Sequence, residues 1–537
     1  MTEFRIMVAD KLGENGLKQL REAGCEVDTA NGLSEEQLLA CIAGYDALIV
    51  RSATHVSEKV VAAARRLKVI GRAGVGVDNI NIEACTRQGI VVVNTPQANN
   101  MAAGELAVAL ACNLFRPICL ANARAHQDDF RKALLSGSEM EGKTAAVIGL
   151  GRIGSIVARK LKGLGMRVIG YDQYVAPERF ERLGIERIGT LEELLPQADL
   201  ITLHTPKTKE TVNILSRERQ ALCKKGVRIV NAARGGLLDE AALYDNLKSG
   251  QVAGAAIDVL TQEPDTAAEP GTQHYQNPLL ELPQVIITPH IGASTKEAST
   301  AVSAEVADAI LRVLNGELVA AINLPRIGGS IEEMAPFVDL AEKLGSIYVQ
   351  TETQPLKEIA IEYSGSLVRE ETALLTLSVL KGFLTPLSEN RITFVNVKQR
   401  VEEMGITISE KKLGNPPRFE NLITVRFCNQ EKTLSVSGTV LSDHTALLTD
   451  FYGYQVDFTI SPYILAVQND DVPGVIGRVG TALGEAGINI ETLHWASKPG
   501  SRRAEALLGL DKPVDQQVQN LIKALPGVRR LSELHLG

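Results

Sequence analysis

The spacing of hydrophobic positions divides this chain into segments of different character. The clearest runs from Thr144 to Asp172. Ala145-Ala146-Val147-Ile148 is apolar without alternation, the pattern of a parallel strand buried on both faces. Ile156, Val157, Leu161 and Leu164 then recur on one side of a helix closed by Gly165, and Arg167 to Gly170 predicts a second strand. Residues 1–98 repeat this alternation. FRIMVAD, EVDT, ALIVRSAT, KVIGRAG and IVVVNTP read as strands, with helices near Glu14–Ala23 and Ser34–Ala43. A long apolar helix over Asn99–Asn122 carries the chain into the second unit. That unit continues through LITLHTP, VRIVNAARGG, VAGAAIDVL and VIITPHIGAS. A helix near Thr295–Leu314 is expected to return to the first unit and make it discontinuous.

From about Pro325 the pattern changes. After an amphipathic helix and connection over 331–355, the segments KEIAIEYSGSL, RITFVNV, LITVRFCN and KTLSVSGTVL show β-branched alternation. They are mixed with helices in TALLTLSVLKGFL and VKQRVEEMG. The last stretch, from about Pro462, reads β-α-β-β-α-β, the order of a ferredoxin-like fold. The expected fold class is therefore α/β, with two doubly wound parallel-sheet domains followed by an α+β module and a ferredoxin-like domain. The expected boundaries are 1–98 with 294–325, then 99–293, 326–460 and 462–537.

Composition narrows the function. A 537-residue chain, 45% hydrophobic, has room for three or four cored domains. Its net charge of −8 gives no electrostatic reason to expect nucleic acid or an anionic membrane as partner. Seven scattered cysteines without C-x-x-C read as free thiols in a reducing compartment, and no metal site is expected. With no leader pattern or long apolar span in the sequence, the expected location is cytoplasmic.

The candidate chemistry lies at strand ends. Gly149, Gly151 and Gly154 follow the first strand of the Thr144–Asp172 unit at G-x-G-x-x-G spacing, and Asp172 stands 18 residues past Gly154. Such glycines give the tight turn, the approach of a pyrophosphate and close helix packing, while the acid holds a ribose 2′-hydroxyl. Gln173 and Tyr174 follow it, with no cation to neutralise a 2′-phosphate, so NAD is favoured over NADP. Arg234, Glu263 and His290 each close an apolar strand where an open α/β sheet binds ligand. Beside NAD, a histidine suits proton transfer from an alcohol, a carboxylate stabilises its imidazolium, and an arginine forks a substrate carboxylate. Arg51-Ser52 and Arg72-Ala73-Gly74 also leave strand ends and are candidates for anion binding. The module at 326–460 carries no catalytic constellation.

Together GLGRIG, ARGGLLDE, the EP after the Asp258 strand and TPHIGAST resemble the D-isomer-specific 2-hydroxyacid dehydrogenases. GRAGVGVDNI, NTP, the α+β module and an ACT-like tail narrow the resemblance to the long-form D-3-phosphoglycerate dehydrogenase family. The resemblance implies NAD-dependent oxidation of 3-phospho-D-glycerate to 3-phosphohydroxypyruvate, the first step of serine synthesis, with side activity on 2-oxoglutarate or 2-hydroxyglutarate. It makes the first unit the substrate-binding domain and the second the NAD domain. The module at 326–460 becomes an intervening domain and 462–537 an ACT regulatory domain.

By motif it implies His290 as acid/base, Glu263 as its partner and Arg234 as carboxylate binder. Arg152 and Ile153 would meet the NAD pyrophosphate. Thr205, Ala232, Asp258, Gly292 and Ala293 would line the cofactor beside Arg234 and His290. Arg51, Ser52, Arg72 and Gly74 would meet substrate, with one more cation from Arg131 or Lys132 at a domain or subunit boundary. Asn469, Asp471 and Asn489 would hold a serine effector, and a homo-oligomer, dimer or tetramer, is implied. Two departures stand out: Asn469 and Asp471 replace the histidine and asparagine of serine-sensing forms, and the stretch after Glu263 is longer than in compact forms. A glyoxylate or hydroxypyruvate reductase would share the triad without needing Arg51 and Arg72 for a phosphate. A corepressor using NAD for assembly is the alternative outside enzymes.

Overall fold

The structure, a computed structural model, describes residues 4–264, 275–325, 331–389, 391–414, 418–497 and 500–537. His274 and the rest of 265–274 therefore lie outside the described residues. Five parallel strands form the first sheet, in the order Glu26–Thr29, Arg5–Val8, Ala47–Val50, Val69–Arg72, Val91–Asn94. The second sheet has seven parallel strands, ordered Val285–Ile287, Val252–Ile257, Val227–Asn231, Leu200–Leu203, Thr144–Ile148, Arg167–Tyr171, Glu186–Arg187. Ala145 to Ile148 are fully buried, as a strand covered by helices on both faces must be.

The two units exchange helices. The helix Asn100–Phe115 leaves the first sheet but packs Ala107, Leu110, Ala111 and Phe115 onto Ala145 and Val147 of the second. The helix Lys296–Leu314 leaves the second sheet and packs Val302, Val306, Ala307 and Ile310 onto Ile6, Val8 and Val69 of the first. Thr295 caps it by accepting from Ala298 N at 3.0 Å. Each crossover helix thus packs on the sheet of the unit it enters. The apolar helix expected over 99–122 is broken: at Arg116-Pro117 the chain bends by 67° into a second helix, Ile118–Ala125. Pro117 cannot donate to the preceding turn and clashes with it, so the helix stops there. No single described helix is long and apolar enough to cross a membrane.

A third sheet orders Thr407–Lys412, Leu356–Gly365, Asn421–Asn429, Thr433–Val440, Ala446–Phe451 and Tyr454–Thr459, mostly antiparallel. RITFVNV, expected as a strand, is instead a turn entering the helix Val397–Glu403. Its polar groups are held outside the sheet. Arg391 Nη1 donates to Leu67 O, Thr393 Oγ1 to Gly89 O, and Asn396 Oδ1 accepts from Thr393 N. The fourth sheet, Ile490–Ser497, Arg503–Leu510, Tyr463–Asp470, Val528–His535, is antiparallel with two helices on one face. Its other face adds Ile464, Ala466, Leu507 and Leu534 to the core of the third sheet, so both faces are covered.

Candidate active site

The glycine turn is built as a dinucleotide cradle. Gly149 has φ +91°, and a Cβ there would lie 2.7 Å from the His204 carbonyl. A Cβ on Gly154 would lie 1.9 Å from Gly149 O, so helix and turn can pack only with glycine at both places. Around Gly151 the space is open, and it precedes the helix Arg152–Gly163 without any side-chain cap. The first N–H groups of that helix are left for an anion. Asp172 Oδ2 accepts from Leu150 N at 2.8 Å, and its Oδ1 accepts from Tyr174 and Val175 N. The acid therefore braces the turn. Thr205 Oγ1 is buried without a partner. Open space, uncapped helix and orphaned hydroxyl together fit a dinucleotide.

His290 follows the strand Val285–Ile287 and holds φ +55°, a left-handed conformation costing a residue with Cβ about 1–3 kcal/mol. Its N–H donates to Asp258 O at 2.9 Å and to Thr288 O at 3.0 Å. Asp258, 2% exposed, takes Thr288 Oγ1 at 2.6 Å, Ile291 N at 2.9 Å and Gly292 N at 3.0 Å. That carboxylate fixes the strained turn. His290 Nδ1 lies 3.0 and 3.1 Å from the two oxygens of Glu263. Nδ1 is thus committed, leaving Nε2 free of Glu263.

Three arginines, Arg51, Arg72 and Arg234, lie close enough to one another to interact. Arg234 Nη1 donates to Ala233 O at 2.7 Å, while its Nη2 lies 3.0 Å from where a Cβ on Gly76 would stand. Arg72 folds over Gly74, whose φ is +148° and where a Cβ would collide with Nη1 at 1.6 Å. Burial, then the charges of Arg234 and Arg51, hold Arg72 down to about 10 against the pull of Asp78 and Asp10. It is charged at neutral pH, and its Nε is buried without a partner. Among the described residues none of the three guanidinium groups has a carboxylate within 4 Å. Arg51 is steered by Asp10, which takes its N–H at 2.5 Å, and by Asn79, which donates to its carbonyl at 2.7 Å. Ser52, beside Arg51, is exposed.

Arg152 and Ile153 open the helix Arg152–Gly163, whereas Ala232 and Gly292-Ala293 lie on the loops that follow the strands Val227–Asn231 and Val285–Ile287. Arg131 does not join them. Its exposed guanidinium grips Asp129 at 2.7 Å through both Nε and Nη2 and holds that carboxyl well below the usual range. The three effector candidates are separated too. Asn469 and Asp471 end the strand Tyr463–Asp470, whereas Asn489 precedes Ile490, which pairs at the level of Tyr463 through Leu510. Within one chain they stand at opposite ends of the sheet, about 20 Å apart at strand rise. Asn469 is buried, with Oδ1 unpartnered. The residues that aim the site, Asp10, Asn79 and Thr288, were missed in sequence. Only Asp10, closing FRIMVAD at a strand end, carried a visible signal.

Fold and cleft define a two-domain dehydrogenase of the D-2-hydroxyacid type. Comparisons agree: residues 108–292 match the D-isomer specific 2-hydroxyacid dehydrogenase NAD binding domain. Residues 333–451 match the D-3-phosphoglycerate dehydrogenase intervening domain and 463–527 the ACT domain. The chain is 40% identical over 534 residues to the D-3-phosphoglycerate dehydrogenase of Methanocaldococcus jannaschii, covering 99% of this chain and 100% of that one. To the Bacillus subtilis enzyme of that name it is 37% identical, covering 98% of each. The chain belongs to the D-3-phosphoglycerate dehydrogenases, NAD-dependent oxidoreductases. Among solved structures, the TT0316 protein of Thermus thermophilus aligns at TM-score 0.54 and 34% identity, over 59% of this chain and 99% of that one. The D-lactate dehydrogenase of Aquifex aeolicus, complexed with NAD and lactic acid, aligns at 0.52 and 26%, over 58% and 96%.

Proposed function

We propose that this chain oxidises 3-phospho-D-glycerate to 3-phosphohydroxypyruvate with NAD, opening L-serine synthesis, and acts secondarily on 2-hydroxyglutarate and 2-oxoglutarate. The observation that carries this is the His290–Glu263 contact, on a loop packed against the Arg234 loop, together with three mutually close arginines whose guanidiniums have no carboxylate partner among the described residues. NAD, when bound, accepts the hydride. His290 Nε2 takes the hydroxyl proton, and Glu263 at Nδ1 stabilises the resulting imidazolium and holds the ring. Arg234 forks the substrate carboxylate and polarises the carbonyl as it forms. Arg51 and Arg72, with Ser52 and the Gly74 backbone, hold the phosphate. Arg131 completes that site from a second copy of the chain, since its own cleft does not receive it.

The same holds for regulation. A serine site using Asn469, Asp471 and Asn489 needs Asn489 from a second copy, which ties feedback to a homo-oligomer, a homotetramer in this reading. The enzyme works in the cytoplasm. NADH formation with 3-phosphoglycerate, glyoxylate and 2-hydroxyglutarate tests the substrate; turnover of glyoxylate but not of 3-phosphoglycerate overturns it. Activity titrated with serine, on the whole chain and on Asn489→Ala, tests the effector. Equal serine response in both removes the shared site.

A further inference from the structure

Glu263 follows a loop with little packing to hold it. Leu260 is buried, but Thr261, Gln262 and Glu263 are exposed. A ring of hydrogen bonds encloses this backbone. Glu240 Oε1 accepts from both Thr261 N and Thr261 Oγ1 at 2.7 Å. Tyr275 Oη donates to Gln262 O at 2.7 Å. Asn277 Nδ2 joins the two ends, lying 3.3 Å from Tyr275 Oη and 3.5 Å from Glu240 Oε2. Asn277 is itself fixed, its Oδ1 accepting from Leu279 N at 3.0 Å.

We propose that Glu240 and Tyr275 are positioning residues that set Glu263 against His290. This rests on the reading of Glu263 as the partner of His290. Each partner comes from an element with its own role. Glu240 opens the helix Glu240–Ser249, capped by Asp239, immediately after the loop that carries Arg234. The two loops touch, since a Cβ on Gly235 would lie 2.0 Å from Leu260 O. Glu240 therefore locks the Glu263 loop to the Arg234 loop, and the two strand ends move as one body. Tyr275 comes from the far end of the stretch that follows Glu263, where the chain returns toward the strand Val285–Ile287. Two backbone anchors, on consecutive residues and from opposite sides, leave Glu263 little freedom to swing from Nδ1. Displacements near 1 Å at such a pair cost up to roughly 10²-fold in rate.

The test is kcat, KM and the pH profile of kcat for the full-length enzyme with 3-phosphoglycerate and NAD. Tyr275→Phe, which removes only the hydroxyl, is expected to lower kcat about 10-fold with KM for NAD nearly unchanged. Glu240→Ala should lower it further, and Glu240→Gln, which keeps an acceptor at Oε1, should recover most of the loss. A carboxylate near the imidazole favours its protonated form. Loosening that carboxylate therefore moves the low-pH limb of kcat to lower pH, in the direction Glu263→Gln moves it. If Glu263→Gln shifts the limb while Tyr275→Phe and Glu240→Ala leave both kcat and limb unchanged, the positioning role is wrong. If Glu263→Gln leaves the limb in place, the reading of Glu263 itself fails, and the clamp with it.

Discussion

Two charged regions of this molecule are built in opposite ways. At the seam between the third and fourth sheets, Glu352, 8% exposed at its side chain, sits between Lys432 Nζ at 3.1 Å and Arg530 Nη1 at 2.8 Å. Nearby Gln350 bonds both N and O of His535. At the strand ends, the guanidiniums of Arg51, Arg72 and Arg234 crowd together without a carboxylate within 4 Å among the described residues. Thr95, Asn99 and Thr205 each leave a buried oxygen there unpartnered. None of the orphaned atoms belongs to the seam residues. Buried polar groups are normally satisfied, so the four at these strand ends mark a place a ligand could complete, as do the further ones at Arg179, Asn469, Arg478 and Thr492. The seam is finished by folding; the cleft is finished by binding.

That contrast fails most visibly if His290 proves dispensable. His290→Ala should reduce turnover by roughly 10²–10⁴ with NAD affinity, followed by fluorescence titration, nearly unchanged. A large loss of NAD binding would show that the residue belongs to the cradle and not to the chemistry. Arg72→Gln comes next. It should lower kcat/KM for 3-phosphoglycerate by about 10² or more, since a charged fork to an anion is lost. The same change relieves repulsion from Arg234 and Arg51, so the ligand-free protein should gain about 0.5–1 kcal/mol by denaturant melting. A variant that is both less active and less stable would place Arg72 with the seam.

How far the sequence revealed this contrast depends on what each feature needs. The strand-end residues Arg51, Arg72, Arg234 and His290 were legible because a buried parallel strand announces its carboxyl end, and open α/β sheets bind ligand there. Pro117 was a visible stop in what was read as one helix, and Arg131 had Asp129 two residues away. The segment 391–397 alternates like a strand, yet its partners Leu67 and Gly89 lie in another domain. No periodicity could show that. The strands Ala446–Phe451 and Tyr454–Thr459 went unread, although they form one edge of their sheet. The separation of Asn489 from Asn469 is a matter of register, and the ring around Thr261-Gln262 joins loops that only the sheet brings together.

The seam offers the reverse experiment. Burial pushes the Glu352 carboxyl up, but Arg530 and Lys432 outweigh it and hold it below the usual carboxylate range. Glu352→Gln should cost about 2 kcal/mol, less than a fully buried pair because both cations are part-exposed. The kcat at saturating substrate should hardly change. Because the folded carboxyl binds its proton less readily than the unfolded one, this stability is present above about pH 4.3. It is lost as pH falls through the lower folded value, so the difference between wild type and Glu352→Gln should close in acid. A difference that persists there would mean the charge is not what Glu352 contributes.

Asp172 is the case that sharpens the division, because it is satisfied by folding and is yet the proposed partner of the NAD ribose. Three backbone N–H groups, from Leu150, Tyr174 and Val175, already occupy its oxygens. If satisfied groups were only structural, Asp172→Asn, which keeps one acceptor oxygen, would leave NAD binding alone and alter stability a little. A carboxylate oxygen has two lone pairs, however: Oδ1 already accepts two N–H groups, but Oδ2 accepts only from Leu150 and can still take a ribose hydroxyl without giving up that N–H. The expected result is therefore a KM for NAD raised about 10-fold in Asp172→Ala and less in Asp172→Asn, with kcat close to wild type. Measured against NADP, both variants should discriminate less, since the charge that repels a 2′-phosphate has gone. An unchanged KM for NAD in Asp172→Ala would return this residue to the scaffold. The boundary between finished and unfinished polar groups would then coincide with the boundary between fold and function.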